Sequence, residues 1–368
     1  MRIALVVAGG VDPSGVYRVI PALLALIRRL TVHHEVRVFA LNQEPRPARW
    51  DLLGAQVENI GHGHTRTRGV LAIRAAHRAR PFDLIHAIWS SSPGLVAVAA
   101  ARMLGVPSLV HVAGGELVSL PAIAYGGRLT WKGCLRESAV LRAASQVTAA
   151  SHPMIRALAS LGIAASRVPL GVDLEAWPAR EPQPRAPHRP ARLVHVASLN
   201  RVKDQGTLLR ALAALRRSGV EFEMHIAGED TLGGEVQALA ARLELAAHIT
   251  FHGFLPQHAL RPLVEAADLM VLSSLHEAGP AVMHEAAALG VPTVGTAVGH
   301  VAEWAPEAAL AAPTGEPTLL AQQVAALLED EGRRLRVARA ARALAMRENA
   351  DYTARSFEAI YERLLARG

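Results

Sequence analysis

The feature that most constrains this chain is an alternation that runs through it twice. Short apolar runs of strand length are followed by amphipathic stretches of helical period, and these by the next apolar run. Residues 2–8 read as a strand, 9–15 as a glycine-bearing loop, 16–30 as a helix and 34–41 as the next strand. Strands follow at 56–60 and 83–87, a helix at 95–104 and a strand at Ser108–Val112. Such repetition predicts a doubly wound parallel sheet, because parallel strands need a long crossover and a helix supplies it. The pattern stops at 177–190, WPAREPQPRAPHRP. Proline removes a backbone donor and fixes φ, so this stretch is neither core helix nor central strand and reads as a linker. The alternation then restarts, with a strand at 192–197, a helix at Gln205–Arg217, a strand at 221–227 and a helix at 234–243. Further strands are expected at 248–252, Leu269–Leu272 and 293–295, and a last helix at 353–366. The expected organisation is two α/β domains, 1–178 and 191–350, joined by 179–190. A C-terminal segment, 351–368, is expected to pack back on the first domain.

Composition supplies exclusions. With 51% hydrophobic and 19% charged residues among 368, the chain has ample material for buried cores and is not disordered. The one cysteine, Cys134, rules out an internal disulfide framework and a Cys-rich metal site, and fits a reducing cytoplasm. The opening MRIALVVAGG reads as a buried strand, not a signal peptide. No apolar stretch approaches the ~20 residues of a membrane span. The formal charge of +7 is uneven: up to Arg180 there are 20 Arg and Lys against 10 Asp and Glu, and beyond it 19 against 22. Two readings stand. Arginine-rich codon usage is one. The other is a first domain that meets something anionic, such as a lipid headgroup, a membrane surface or a phosphorylated acceptor. No zinc-finger spacing, basic zipper or aromatic single-strand platform is present, so nucleic acid is not an expected partner.

The chemistry-bearing stretch is 267–303. A strand at Leu269–Leu272 ends in Ser273 and Ser274, Glu277 sits on the loop, Gly279 and Pro280 start a helix, and Glu285 lies in its second turn. Proline is tolerated in a helix's first turn because its N–H would be unpaired there anyway. Two carboxylates eight residues apart are either ordinary surface charges or a ligand grip. The second reading draws on placement: a helix N-terminus just past a strand end offers N–H groups and a positive dipole to a phosphate. One carboxylate there can accept hydrogen bonds from a ribose diol, and the other can orient sugar hydroxyls. In two facing sheets of this type the expected site is the cleft between the domains.

An ordered set of motifs extends this. PLGVD ends at Asp173, SLNRVKD runs from Ser198 to Asp204, IAGE begins at Ile226, FHGF begins at Phe251, and ADL begins at Ala267 before Glu277 and Glu285. In this order they resemble glycosyltransferase family 4, covering most of the second half. The resemblance implies the GT-B fold, two Rossmann-like domains, with acceptor bound by the first and nucleotide sugar by the second. It implies that Glu285 binds the donor ribose, Glu277 faces the transferred sugar and Lys203 neutralises the diphosphate. Gly279, Pro280, Ala281 and Val282 match the phosphate-holding turn, Gly228 a strand end, and Leu255 the place where the base is cradled. The loop bearing Gly10 and Gly15 would lie beneath the donor phosphate, where the residues alone equally suit a bare turn.

Three positions depart from the family pattern. Ser198 stands where the family usually has Arg, and Arg201 either supplies that charge or is simply solvated. Ala113 takes the place of a frequent His, with His111 two residues earlier. Ile88 replaces the second His of a strand end that here runs from His86 to Trp89. His86 is therefore either cleft-facing or packed. Glu116, after Gly114 and Gly115, becomes the candidate for acceptor contact, with Tyr125 as a further lining residue or part of a plain turn.

The resemblance implies a retaining transfer of sugar from a nucleoside diphosphate to an acceptor hydroxyl, the leaving diphosphate accepting the proton. No Asp-x-Asp motif is present, so neither metal nor cofactor is expected. The implied partners are a nucleotide sugar and a glycan or lipid-linked acceptor, with peripheral membrane contact through the basic first half. Rival readings are a phosphorylase or epimerase of the same fold and a silent nucleotide-sugar-binding subunit. A dinucleotide oxidoreductase is disfavoured by the missing G-x-G-x-x-G.

Overall fold

The computed structural model describes residues 1–186 and 189–366 and divides into two units, Met1–Gly171 with Ala350–Gly368, and Val172–Asn349. The first unit holds β1 (Arg2–Val7), β2 (Glu35–Ala40), β3 (Ala48–Leu52), β4 (Ala55–Asn59), β5 (Leu84–Ile88), β6 (Ser108–Val112), β7 (Gln146–Ala149) and β8 (Ser166–Arg167). Their order across the sheet is β3-β4-β2-β1-β5-β6-β7-β8, with only the β3–β4 pair antiparallel. The second unit holds β9 (Ala191–Val196), β10 (Phe222–Ala227), β11 (Ile249–Gly253), β12 (Leu269–Leu272), β13 (Thr293–Thr296) and β14 (Ala309–Ala312). Their order is β11-β10-β9-β12-β13-β14, all parallel. Each unit is thus a doubly wound α/β layer, as the alternation requires.

The period-2 rule for strands sorts the core of the second unit. Leu269 and Val271 of β12 join one apolar cluster with the helices Gln205–Arg217 and Pro317–Glu329. Met270 and Leu272 join another with the helices Ala281–Ala288 and Glu331–Arg347. Both faces of the sheet are covered, which is why its strands read as unbroken apolar runs.

In the first unit one face packs on the helices Pro21–His33 and Ala350–Leu365. The second of these buries Ala354, Phe357, Ile360, Tyr361 and Leu364, an i, i+3, i+4 stripe. It is pinned at its start, where the Thr353 hydroxyl donates to Pro169 O at 2.7 Å and accepts from Gly171 N at 3.0 Å. The helix begins three residues earlier than the expected 353, and residues 367 and 368 lie outside the described residues. The first helix starts at Pro21 rather than at 16, because the Ser14 hydroxyl holds the N–H groups of Val16 and Tyr17 in a turn and Arg18 takes a positive φ.

Two boundaries need correction. Residues 172–178, expected in the first domain, belong to the second unit, since Val172 and Trp177 are buried in its core. The described part of the expected linker is not loose. Arg180 N donates to Ala288 O at 2.8 Å, Pro182 is buried against Gly290, and Arg334 donates to Gln183 O at 2.6 Å. Its prolines prevent strand and helix, as expected, but a segment without either still packs along the second unit. Residues 187 and 188 of that expected linker lie outside the described residues.

Candidate functional site

In the second unit the chain winds outward from β9 to β10 and β11, then returns to lay down β12, β13 and β14 on the other side. The order therefore reverses between β9 and β12, and the crevice outside the carboxyl ends of such a strand pair is where doubly wound sheets bind ligands. The segments leaving these two ends carry Lys203 and Glu277, and hydrogen bonds stitch them together. Leu275 N donates to Val202 O at 2.8 Å, and the Ser273 hydroxyl donates to Lys203 O at 2.8 Å. Lys203 Nζ consequently lies 2.5 Å from Glu277 Oε1, and the Ser274 hydroxyl donates to the same oxygen at 2.6 Å. The pair is mostly shielded, with side-chain exposures of 25% and 12%. Its attraction is therefore less screened than that of a surface pair. Gly299 closes the far side at φ +51°, and a Cβ there would stand 3.0 Å from the Glu277 Cβ and carbonyl oxygen. Any larger residue at 299 would push Glu277 out of place.

Behind this pair lies His195, which the sequence reading passed over. It is fully buried on β9, its Nδ1 donates to Val271 O of β12 at 2.8 Å, and Gln205 Nε2 donates to its Nε2 at 3.2 Å. Burial holds this imidazole neutral, with a pKa of about 4. It ties β9 to β12 just below the Lys203–Glu277 level.

The helix Ala281–Ala288 begins one residue later than expected. Pro280 is its N-cap at φ −68° and ψ 113°, and no side chain caps it. Its first N–H groups and positive dipole end are therefore available to a ligand. Glu285 lies in the second turn, 9% exposed, and burial alone pushes its carboxyl up to about 7. No described residue donates a hydrogen bond to that carboxyl. Gly279, Ala281 and Val282 are partly buried around the turn, and Pro280 fully. Gly228 marks a chain crossing: its φ is +154°, and a Cβ would stand 1.9 Å from Ala197 O. Leu255 is partly buried against the core beneath the Ala281–Ala288 helix. Arg201 goes elsewhere. Its guanidinium donates to Glu235 at 2.8 Å, both side chains being more than half exposed, and it is not gathered with Lys203 and Glu277.

The first unit treats its candidate residues differently. Gly10 has φ +83°, and its N–H together with that of Val11 is taken by Gln43 Oε1 at 2.7 and 3.0 Å. Gly15 N donates to Asp12 O at 3.0 Å, and Asp12 is paired with Arg18. The glycine loop is thus closed by its own chain, and a phosphate reaches these donors only by displacing Gln43. His86 does not face an acceptor. It is fully buried, its Nδ1 is 2.7 Å from the Tyr361 hydroxyl, and its ring packs on Phe357. Burial drives its pKa well below the ordinary value, as it does for His111, down to about 3. Both histidines are core residues whose Nδ1 atoms are met by Tyr361 and by Thr148, the latter at 3.0 Å, while the Nε2 of each is buried without a partner among the described residues.

Glu116 is also turned inward. Its carboxylate accepts from Gly114 N at 2.7 Å, Ser90 N at 3.3 Å and Ala113 N at 3.4 Å. Burial outweighs these bonds and raises its pKa to about 7. The residue cross-links the chain leaving β5 to the chain leaving β6, which is not the acceptor contact expected of it. Gly115 and Tyr125 are brought together: a Cβ at 115 would stand 2.5 Å from the tyrosine ring.

Residues 14–171 match the family described as "Glycosyl transferase 4-like domain", and residues 178–344 match "Glycosyl transferases group 1". The chain belongs to the GT-B glycosyltransferases. Among curated relatives it is similar to the putative glycosyltransferase EpsF of Bacillus subtilis, 29% identical over 230 residues, which cover 58% of this chain and 57% of EpsF. The chain spans about half the length of the curated relatives it matches. Among solved structures it superposes on a sucrose-phosphate synthase from Thermosynechococcus elongatus with a TM-score of 0.84, 18% identity and all of both chains covered. It also superposes on Anabaena HepE in complex with UDP-glucose, with a TM-score of 0.76, 19% identity, and 99% and 100% coverage. At these identities the likeness is one of fold.

In this GT-B glycosyltransferase the motifs single out Lys203, Glu277 and Glu285 but not the residues packed around Glu277 and behind it, Ser274, His195 and Gly299. Ser274 had a signal, a second polar residue directly after an apolar strand. His195 inside a strand and Gly299 at the start of a short helix had none, because their roles depend on neighbours 76 or 22 residues away in the chain.

Proposed function

We propose that the chain is a retaining hexosyltransferase that moves a sugar from a nucleoside-diphosphate sugar to an acceptor hydroxyl, in glycan, polysaccharide or glycolipid synthesis. The observation that carries this is the grouping outside β9 and β12: a lysine and a glutamate 2.5 Å apart, beside the free N-terminus of a helix whose buried Glu285 has no described donor. A nucleoside-diphosphate sugar answers each of these groups. Its ribose diol donates to Glu285, its diphosphate takes the N–H groups of the helix start and the Lys203 charge, and its sugar hydroxyls meet Glu277. The solved HepE complex with UDP-glucose makes a uridine donor the first to test.

In the proposed reaction the bond from the anomeric carbon to the diphosphate oxygen breaks, and a bond from that carbon to the acceptor oxygen forms on the same face. The acceptor proton passes to the leaving diphosphate. Lys203 stabilises the charge growing on that diphosphate, an effect of about 10²–10³ in rate for one preorganised donor. The protein's part is position and charge, and no resident metal or cofactor is assigned. With one cysteine in the sequence, we place the reaction in the cytoplasm.

The test is a thermal-shift screen of uridine, guanosine and adenosine diphosphates and their sugars, followed by product analysis. The reading expects stabilisation by one nucleotide series, release of free nucleoside diphosphate, and loss of transfer in Glu277→Ala. Stabilisation by none of them, or an isomerised nucleotide sugar as product, would overturn it.

A further inference from the structure

Lys203 is carried by a short loop, and a residue with no part in the proposed chemistry closes that loop. Residues 197–204 leave β9, make one tight turn at Arg201–Lys203 and enter the helix Gln205–Arg217. Gln205 is the first residue of the helix, where a polar side chain ordinarily meets water, yet it is 1% exposed. Its amide reaches back over seven residues, and Nε2 donates to Ser198 O at 3.1 Å. The same nitrogen donates to the Nε2 of His195 on β9 at 3.2 Å. His195 carries the connection to β12 through Nδ1, which donates to Val271 O at 2.8 Å. Between Lys203 and Gln205 stands Asp204 at φ +45°, a backbone conformation that few side chains adopt.

This network has one direction. Val271 O and Ser198 O can only accept. A neutral His195 therefore keeps its proton on Nδ1, and the Gln205 NH2 faces Ser198 O and the Nε2 lone pair. Turning the amide over would set its oxygen against both of those acceptors. Gln205 Oε1 is meanwhile buried with no partner among the described residues. The amide is oriented by its two acceptors, not by the needs of its own oxygen. Other bonds hold the loop sideways. Leu199 N donates to Glu229 O at 2.8 Å, and Leu275 N to Val202 O at 2.8 Å. The Gln205–Ser198 bond instead joins the two ends of the loop.

We propose that Gln205, held by His195, is a positioning residue for the Lys203 ammonium. It closes the loop two residues beyond Lys203 and locks that closure to β9 and β12, the strands whose ends carry Lys203 and Glu277. The charges of Lys203 and Glu277 both act on the His195 ring, which lies just behind them. Without the closure, the ammonium loses its fixed place 2.5 Å from Glu277 Oε1. A cation stabilises a developing charge best when it is in place beforehand. The effect on catalysis rests on the proposed transfer; the placing of Lys203 does not.

The test is a double-mutant cycle of Gln205→Met and Lys203→Met in the full chain, read in two ways. In steady-state transfer, Gln205→Met should lower kcat by about 10- to 100-fold with the donor KM within about threefold, since a misplacement of about 1 Å suffices. Made on top of Lys203→Met, the same change should lower kcat by less than about twofold, because the cation it places is already gone. His195→Phe removes the partner of Gln205 and keeps a planar ring, and it should repeat both results. Urea unfolding needs no donor. There the shift in midpoint caused by Lys203→Met should shrink by at least about half when it is made on top of Gln205→Met. Equal losses of kcat with and without Lys203, or additive shifts in urea, would overturn the proposal and leave Gln205 a core residue alone. A wild type that transfers no sugar would refute the proposed function instead, and the urea cycle would then decide the placing of Lys203 by itself.

Discussion

Glu116 in the first unit and Glu285 in the second are almost alike by bulk measures. Both are more than nine-tenths buried, both lie in the segment that follows a strand's carboxyl end, and burial raises both to about 7. Their surroundings separate them. Three backbone N–H groups converge on Glu116 from two strand ends, whereas no described donor reaches Glu285. A buried carboxylate with its bonds made is a strut. One without them is costly in the free protein and is kept where a ligand completes it. Burial and a shifted pKa are therefore common to both carboxylates; the missing donors are what single out Glu285 as the proposed ligand contact.

The largest expected effect is on nucleotide binding. Glu285→Ala should weaken the nucleoside diphosphate by about 100-fold in calorimetry, the loss of two charge-assisted hydrogen bonds, while Glu116→Ala leaves it within about twofold. Equal losses in both would erase the distinction. Next is stability. Glu116→Gln sets an NH2 against backbone N–H groups and should cost about 2 kcal/mol in urea unfolding at neutral pH. A third effect is on pH. The proposed nucleotide contact uses the ionised form of Glu285, so affinity should rise about tenfold from pH 6 to pH 8 and level off above it, and Glu285→Gln should flatten that slope. The last is a gain. The folded pKa of Glu285 lies above its ordinary 4.5, so the wild type loses stability as pH rises from about 4.5 through 7. Glu285→Gln does not titrate and should be more stable than wild type by up to about 3 kcal/mol at pH 8 and equal at pH 4.

Much of this was legible in the sequence, and particular residues show where legibility stops. Leu269–Leu272 and Gln205–Arg217 were read with their bounds, because apolar period and flanking turn residues are local signals. Antiparallel β3, with exposed Ala48 and Arg49, carries no such pattern. The proposed donor site could be named from sequence because Lys203, Glu277 and Glu285 sit in ordered motifs beside strand ends. The first unit's candidates misled because His86 and Glu116 have the residue types of a site. Whether a buried His serves a ligand or a Tyr 275 residues further on is decided by tertiary packing alone. Arg201 misled for the same reason: its charge was visible, but Glu235 as its partner was not.

The Ala350–Leu365 helix has a consequence for how the protein is made. The second unit is continuous in the chain, but the first needs Phe357 and Tyr361 to cover β1, β2 and β5. A ribosome delivers those side chains only after the whole second unit. Domains usually fold in order of emergence, yet here the half that emerges first is finished second. Throughout synthesis of residues 172–349 the nascent first unit carries a bare apolar sheet face with two histidines under it. That interval is when a chaperone would find it, and a stop codon shortly before residue 350 would leave that exposure permanent.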